Sequence, residues 1–220
     1  MTLNELLHEC MDALQVPSWD CDGRDDHLRQ IEYAMARTEI AQKDRALLRA
    51  AAQQFRKHKT VPPSMRHPDD LQEELAVANA IEARLGANHY IFHGTIYGRL
   101  KGIAKEGFVP GKSKVWAEPY VSKEFLGSAA FFTNTWRGAM GFAEVAHRSS
   151  RGRRDSLHRK PVVVRLPSAG LSLQPDPVST APALMVEGRV SARNADVLLG
   201  LVRGFPNWLP LDEALDPQRP

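Results

Sequence analysis

Three short stretches in the second half of the chain hold the side chains best suited to chemistry. They are Tyr90-Ile91-Phe92-His93-Gly94-Thr95, Ala130-Phe131-Phe132-Thr133 and Leu184-Met185-Val186-Glu187-Gly188-Arg189-Val190. His93 can hydrogen-bond a hydroxyl whether its ring is neutral or charged, and Gly94 leaves its backbone N–H and C=O open to a planar amide. Phe131 and Phe142 offer faces for stacking. The carboxylate of Glu187 can accept from a hydroxyl and stabilise positive charge that develops beside it as a bond breaks. Taken one at a time, the same residues also fit plain roles: a solvent-facing strand glutamate, a buried histidine satisfied by backbone, and two core phenylalanines. It is their joint order that points to a site.

The elements that must position them are short. From Asn88 onward, β-like runs are expected at Tyr90–Phe92, Val115–Val121, Ala129–Thr133, Val162–Leu166, Leu171–Leu173 and Leu184–Val190. Helices are expected over Thr95–Lys105 and Trp136–Ala146, and over a last segment capped by Asn194 and running through Val202. The Pro-rich tail after Phe205 is expected to lie along the surface. Strands do not alternate regularly with long helices, so the class is α+β and not a doubly wound parallel sheet.

Residues 1–86 read differently. Thr2 and Glu5 form a capping box ahead of Leu3, Leu6, Leu7 and Leu14, and Asp25 or Asp26 precedes Leu28, Ile31 and Met35. A third stripe holds Leu47, Leu48, Ala51 and Phe55. After Val61-Pro62-Pro63, a fourth helix opens at Asp69 and Asp70, carries Leu71, Leu75, Ala78, Ile81 and Leu85 inward, and stops at Gly86. Two domains follow: a helical one over 1–86 and a mixed one over 87–220. Charge divides the same way, with 11 Lys and Arg against 15 Asp and Glu in the first part and 18 against 11 in the second. The second domain is thereby suited to an anionic ligand.

Composition and missing motifs remove several classes. With 43% apolar and 25% charged residues the chain has the make-up of an ordinary globular protein. No apolar run approaches the ~20 residues of a membrane-spanning helix, and the acidic amino terminus lacks the pattern of a secretory signal. A cytoplasmic setting, of the producing cell or of a target cell, is expected. GxGxxG, GK[ST], HExxH and GxSxG are all missing, which sets aside the familiar dehydrogenases, P-loop enzymes, zinc proteases and serine hydrolases. Cys10 and Cys21 have no metal-ligand spacing with any histidine, so free thiols and no structural metal are expected.

Over roughly residues 88–203 the order His93-Gly94-Thr95, then Phe131-Phe132-Thr133 followed by Ala139 and Phe142, then Glu187, resembles the ADP-ribosyltransferase superfamily, in particular its poly(ADP-ribose) polymerase and diphtheria-toxin-like branch. The resemblance implies a split β-sandwich that binds NAD as substrate. It implies that His93, Gly94, Thr95, Phe131 and Phe142 contact NAD and that Glu187 and His93 are catalytic, in an enzyme of the glycosyltransferase class. Cleaving the nicotinamide–ribose bond passes through an oxocarbenium-like state, which a carboxylate at Glu187 would stabilise. Two departures stand out: Phe131 where many members have tyrosine, and Met185 where arginine-modifying members carry an acid or amide. The second argues against an arginine acceptor.

The expected activity is therefore mono-ADP-ribosyl transfer to an unidentified acceptor, protein, nucleic acid or small molecule. A toxin with its antitoxin, a defence protein or an effector fits such a chain, and residues 1–86 are expected to pack on the transferase unit and control access. An RNA 2′-phosphotransferase shares a similar His-Gly-Thr start but lacks the glutamate, and a noncatalytic interaction protein is the alternative from another class. The basic run Arg148, Arg151, Arg153, Arg154, Arg159 and Lys160, broken among acids only by Asp155, could contact the NAD pyrophosphate, a nucleic acid or an acidic partner. A flexible solvated loop accounts for that run equally well.

Overall fold

At the amino terminus the Thr2 backbone N–H donates to Glu5 Oε2 at 2.8 Å and the Glu5 N–H donates to Thr2 Oγ1 at 3.2 Å, so the capping box forms in both directions and starts α1 (Leu3–Gln15). In this computed structural model the residues described are 2–15, 22–37, 39–58, 61, 65–86, 89–111, 127–150, 157–176, 183–202 and 205–216. Helices α2 (Asp22–Met35), α3 (Gln42–Lys57) and α4 (Pro68–Leu85) follow, the last with proline in its first turn and Gly86 at its end. Leu7, Met11, Ile31, Leu48, Phe55, Ile81 and Leu85 meet in one core. Leu75, expected inside, is 40% exposed, because the buried stripe of α4 runs through Glu74, Ala78, Ile81 and Leu85, and Leu71 is only half-buried.

The chain divides into two units, Met1–His89 and Tyr90–Pro220. The second is built on an antiparallel sheet of β1 (Tyr90–Ile96), β2 (Ala129–Thr133), β3 (Pro161–Pro167), β4 (Gln174–Pro175), β5 (Ala183–Glu187), β6 (Asp196–Val202) and β7 (Phe205–Pro210). Their order across the sheet is β4-β5-β2-β1-β3-β6-β7. Helices α5 (Leu100–Glu106), α6 (Trp136–Ser149) and α7 (Leu211–Ala214) accompany it, with 3-10 turns at Tyr97–Arg99 and Leu157–Arg159. This is the α+β class expected from the sequence. One sheet face packs Ile91, Phe132, Val164, Val186 and Val197 with Leu100 and Ile103 of α5; the other packs Phe92, Val163 and Leu198 with Trp136 and Ala139 of α6.

Several further expectations fail. β1 runs on to Ile96, through the Thr95 at which a helix was expected to start, and α5 begins only at Leu100. The segment after Asn194 is not a helix: Asn194 takes a left-handed turn at φ 61°, and Asp196–Val202 pairs as a strand between β3 and β7. The tail after Phe205 does not lie free along the surface but forms β7, whose Trp208 packs 5.7 Å from the Phe92 ring. The strand expected to run to Val190 ends at Glu187, where Gly188 turns at φ 76°, and Val190 forms an isolated bridge with Phe108. Leu171–Leu173 is irregular, and the strand begins after it at Gln174. The run Val115–Val121, Cys21, the Pro62-Pro63 break and Arg151, Arg153, Arg154 and Asp155 of the basic run lie outside the described residues.

Candidate active site

His93 sits on β1, Phe131 on β2 and Glu187 at the end of β5, and these three strands are neighbours in the order β5-β2-β1. The pairing between them is uneven. β1 pairs with β3 from Tyr90–Pro167 to Ile96–Pro161, and β2 pairs with β5 from Ala129–Glu187 to Thr133–Ala183, yet β1 and β2 share a single aligned pair, Phe92 with Thr133. The sheet is thus opened between β1 and β2 beyond Phe92. Hydrogen bonding alternates along an antiparallel strand, and the Tyr97 N–H donates to Lys160 O at 2.9 Å on the β3 side. Counting back from Tyr97 turns the N–H and C=O of Gly94 toward β2, along the opened edge.

A histidine bond crosses that opening. His93 Nδ1 lies 2.9 Å from the carbonyl oxygen of Phe131. A carbonyl only accepts, so Nδ1 carries the proton and a neutral ring leaves Nε2 as an acceptor. The ring packs edge-on against Phe108 at 5.0 Å and Phe132 at 5.9 Å between centroids. Burial pushes the His93 pKa below the usual histidine value, the Phe131 carbonyl opposes that shift, and the Arg99 charge adds to it. Beside His93 on the same face is Thr95, 1% exposed, whose hydroxyl has no hydrogen-bond partner among the described residues.

Gly94 faces the other way and is required there by packing. A Cβ on Gly94 would lie 1.8 Å from Ala139 O and 2.7 Å from Ala143 N, so the backbone of α6 rests directly on β1. Ala139, Ala143 and Ala146 give α6 the small face that permits this approach, and Thr135 Oγ1 caps the helix by accepting from the Gly138 N–H at 3.1 Å. Phe142 belongs to the turn between Ala139 and Ala143, which holds it at the level of Gly94. The glycine therefore serves α6 with its missing side chain, while its backbone edge remains the part suited to a ligand amide.

Strand alternation divides the expected residues between two faces. Phe131, Met185 and Glu187 share the face on which α6 packs, with Phe131 directly opposite Met185 and Glu187 opposite Ala129. His93 and Thr95 point to the opposite face, with Ile91 and Phe132. Glu187 is exposed and makes no hydrogen bond or ion pair among the described residues. Its position is fixed by backbone, through β2 on one side and the Gly188 N–H to Ser128 O bond of 2.8 Å. Phe131 and Phe142 are half-buried. Phe108 and Arg99, which with Phe132 set the surroundings of His93, escaped the reading of the sequence because neither lies in a motif with it.

No group of three or more His, Cys, Asp or Glu side chains is placed to hold a metal ion among the described residues, and no described helix is long and apolar enough to cross a membrane. No family model matches the chain, and no curated protein or solved structure matches it either.

Proposed function

We propose that the protein is a mono-ADP-ribosyltransferase that cleaves NAD and passes its ADP-ribose to an acceptor. The observation that carries this reading is the placement of His93, Phe131 and Glu187 on three neighbouring strands, in a sheet opened between β1 and β2 beside Gly94. The nicotinamide carboxamide would pair with the backbone edge of Gly94, and its ring would stack against Phe131 or Phe142. Glu187, on the same face as Phe131, would accept from the ribose 2′-hydroxyl and stabilise the cationic sugar as the nicotinamide leaves. His93 offers Nε2 to a second ribose hydroxyl through the opening. An exposed carboxylate suits this role, because nothing among the described residues competes for it.

The test is release of nicotinamide from NAD by the full chain, followed by chromatography. Wild-type protein should release it and Glu187→Gln should not. No nicotinamide from the wild type under any acceptor supply would turn the assignment toward a noncatalytic binding protein.

A further inference from the structure

Cations of the first unit are largely spoken for: Arg56 pairs with Glu32 at 3.0 Å, Lys57 with Asp70 at 2.7 Å, Arg66 with Glu74 at 2.6 Å and Arg84 with Asp44 at 2.6 Å. The second unit holds a set that is not. Lys101, Lys105, Arg148, Arg159 and Lys160 form no ion pair among the described residues, and all but Arg159 are exposed.

Local bonds gather these cations onto one surface. His147 Nδ1 lies 2.7 Å from Arg159 O, tying the last turn of α6 to the turn Leu157–Arg159. The Tyr97 N–H to Lys160 O bond and the approach of Gly98 to the His158 ring, 3.0 Å from an added Cβ, join that turn to the start of α5. Lys101 and Lys105 stand one turn apart on α5 and carry the surface toward a cleft of about 870 Å³ that Lys105 lines together with Arg189 and Arg193. Glu106 and Asp212 line that cleft too, so the positive character belongs to the stretch from Arg148 to Lys105 and not to the cleft itself.

Two features say what would cover such a surface. Arg159 Nε is buried with no hydrogen-bond partner among the described residues, and a guanidinium drawn partly out of water without an acceptor favours an incoming oxyanion. Leu157, 53% exposed, is the only large apolar side chain exposed among these residues, so a protein partner would lack the packed anchors on which such interfaces depend. His158 is the exposed ring among them, and Gly98 lies against it, so the described residues give no row of rings on which successive bases could stack. We infer that this surface docks the phosphate backbone of a nucleic acid without reading its sequence. On the reading proposed above, that nucleic acid is the acceptor.

Binding is measured without NAD, so its outcome is separate from that of the transferase reading. A short fluorescein-labelled single-stranded RNA is titrated with the full chain and followed by anisotropy between about 50 and 200 mM salt. The wild type should bind, with affinity falling steeply as salt rises, and polyglutamate should not compete. Replacing Lys101, Arg148 and Lys160 together by alanine should flatten the slope of log K against log salt by about 2, since each lost phosphate contact removes about 0.7 for a single strand. All three side chains are exposed, and circular dichroism checks that the variant folds. Absence of binding at the lowest salt, an unchanged slope in the folded variant, or displacement of the RNA by polyglutamate would each overturn the inference.

Discussion

Glu187 and His93 show how one residue type serves chemistry only through where its strand places it. Glu187 is exposed at a strand end and unpaired among the described residues, so Glu187→Gln keeps shape and hydrogen-bonding capacity and removes only charge. Turnover should fall about 10²-fold or more while NAD affinity changes little, because the charge acts chiefly when the sugar becomes cationic. Comparing kcat with the calorimetric Kd checks this; wild-type turnover would take Glu187 out of the site. His93 calls for a different expectation. Its ring is held neutral by burial and by the Arg99 charge against the weaker pull of the Phe131 carbonyl. The folded pKa thus lies below the unfolded value of about 6.5, and the neutral ring persists as pH falls past that point. NAD affinity should therefore stay level from about pH 7.5 to 6.5 and weaken only at lower pH, whereas His93→Ala should weaken it at every pH. Calorimetry across that range decides: a break centred at the ordinary histidine value would mean that burial does not hold the ring neutral.

The helix α6 and the glycine under it form the element on which the site depends, and they show what the sequence could and could not say. Gly94 was legible as a residue that lets something approach closely, but a single sequence does not tell a ligand from a helix backbone, and here the approach belongs to Ala139 and Ala143. Gly94→Ala should cost about 1–3 kcal/mol, visible as a lower unfolding midpoint, because backbone must move to admit the methyl group. An unchanged midpoint would show that α6 does not sit on β1 so tightly. Amphipathic helices, the capping box at Thr2 and the strands β1, β2 and β3 were readable because local spacing decides them. The last helix was misread because Val197-Leu198-Leu199 suits either state, and pairing to β3 and β7 settles it. Likewise Trp208 carries no local signal for the place it takes against Phe92 and 4.6 Å from the Arg165 guanidinium. The order of His93, Phe131 and Glu187 could be read from the chain; their division between two faces could not, since it follows from a register that no spacing records.

At the scale of the whole molecule, each unit has its own interior, and the interiors differ in kind. Residues 90–220 bury mostly aliphatic and aromatic side chains on two sheet faces, and the residues proposed for NAD all lie there. The helical unit instead encloses polar groups: the Arg66–Glu74 pair with both side chains 1% exposed, and His58 close by. Burial is the main cause that drives the His58 pKa below the usual value; Glu74 and Asp70 draw it up, and Arg66 and Lys57 push it further down. An unfolded histidine takes up its proton near pH 6.5, so below that pH the unfolded state of this unit binds more protons than the folded one. Stability should accordingly be full above about pH 7, fall as pH drops through 6.5, and level off once the folded His58 is itself protonated. The helical unit, produced as residues 1–89, should therefore melt at a lower temperature at about pH 5.5 than at pH 7.5, and His58→Gln should shrink that difference. His93 gives residues 90–220 the same direction of change, so the His58→Gln comparison within the first unit is what isolates the effect. An equal acid shift in wild type and His58→Gln would assign the acid sensitivity to other groups and leave His58 as a packed, silent side chain.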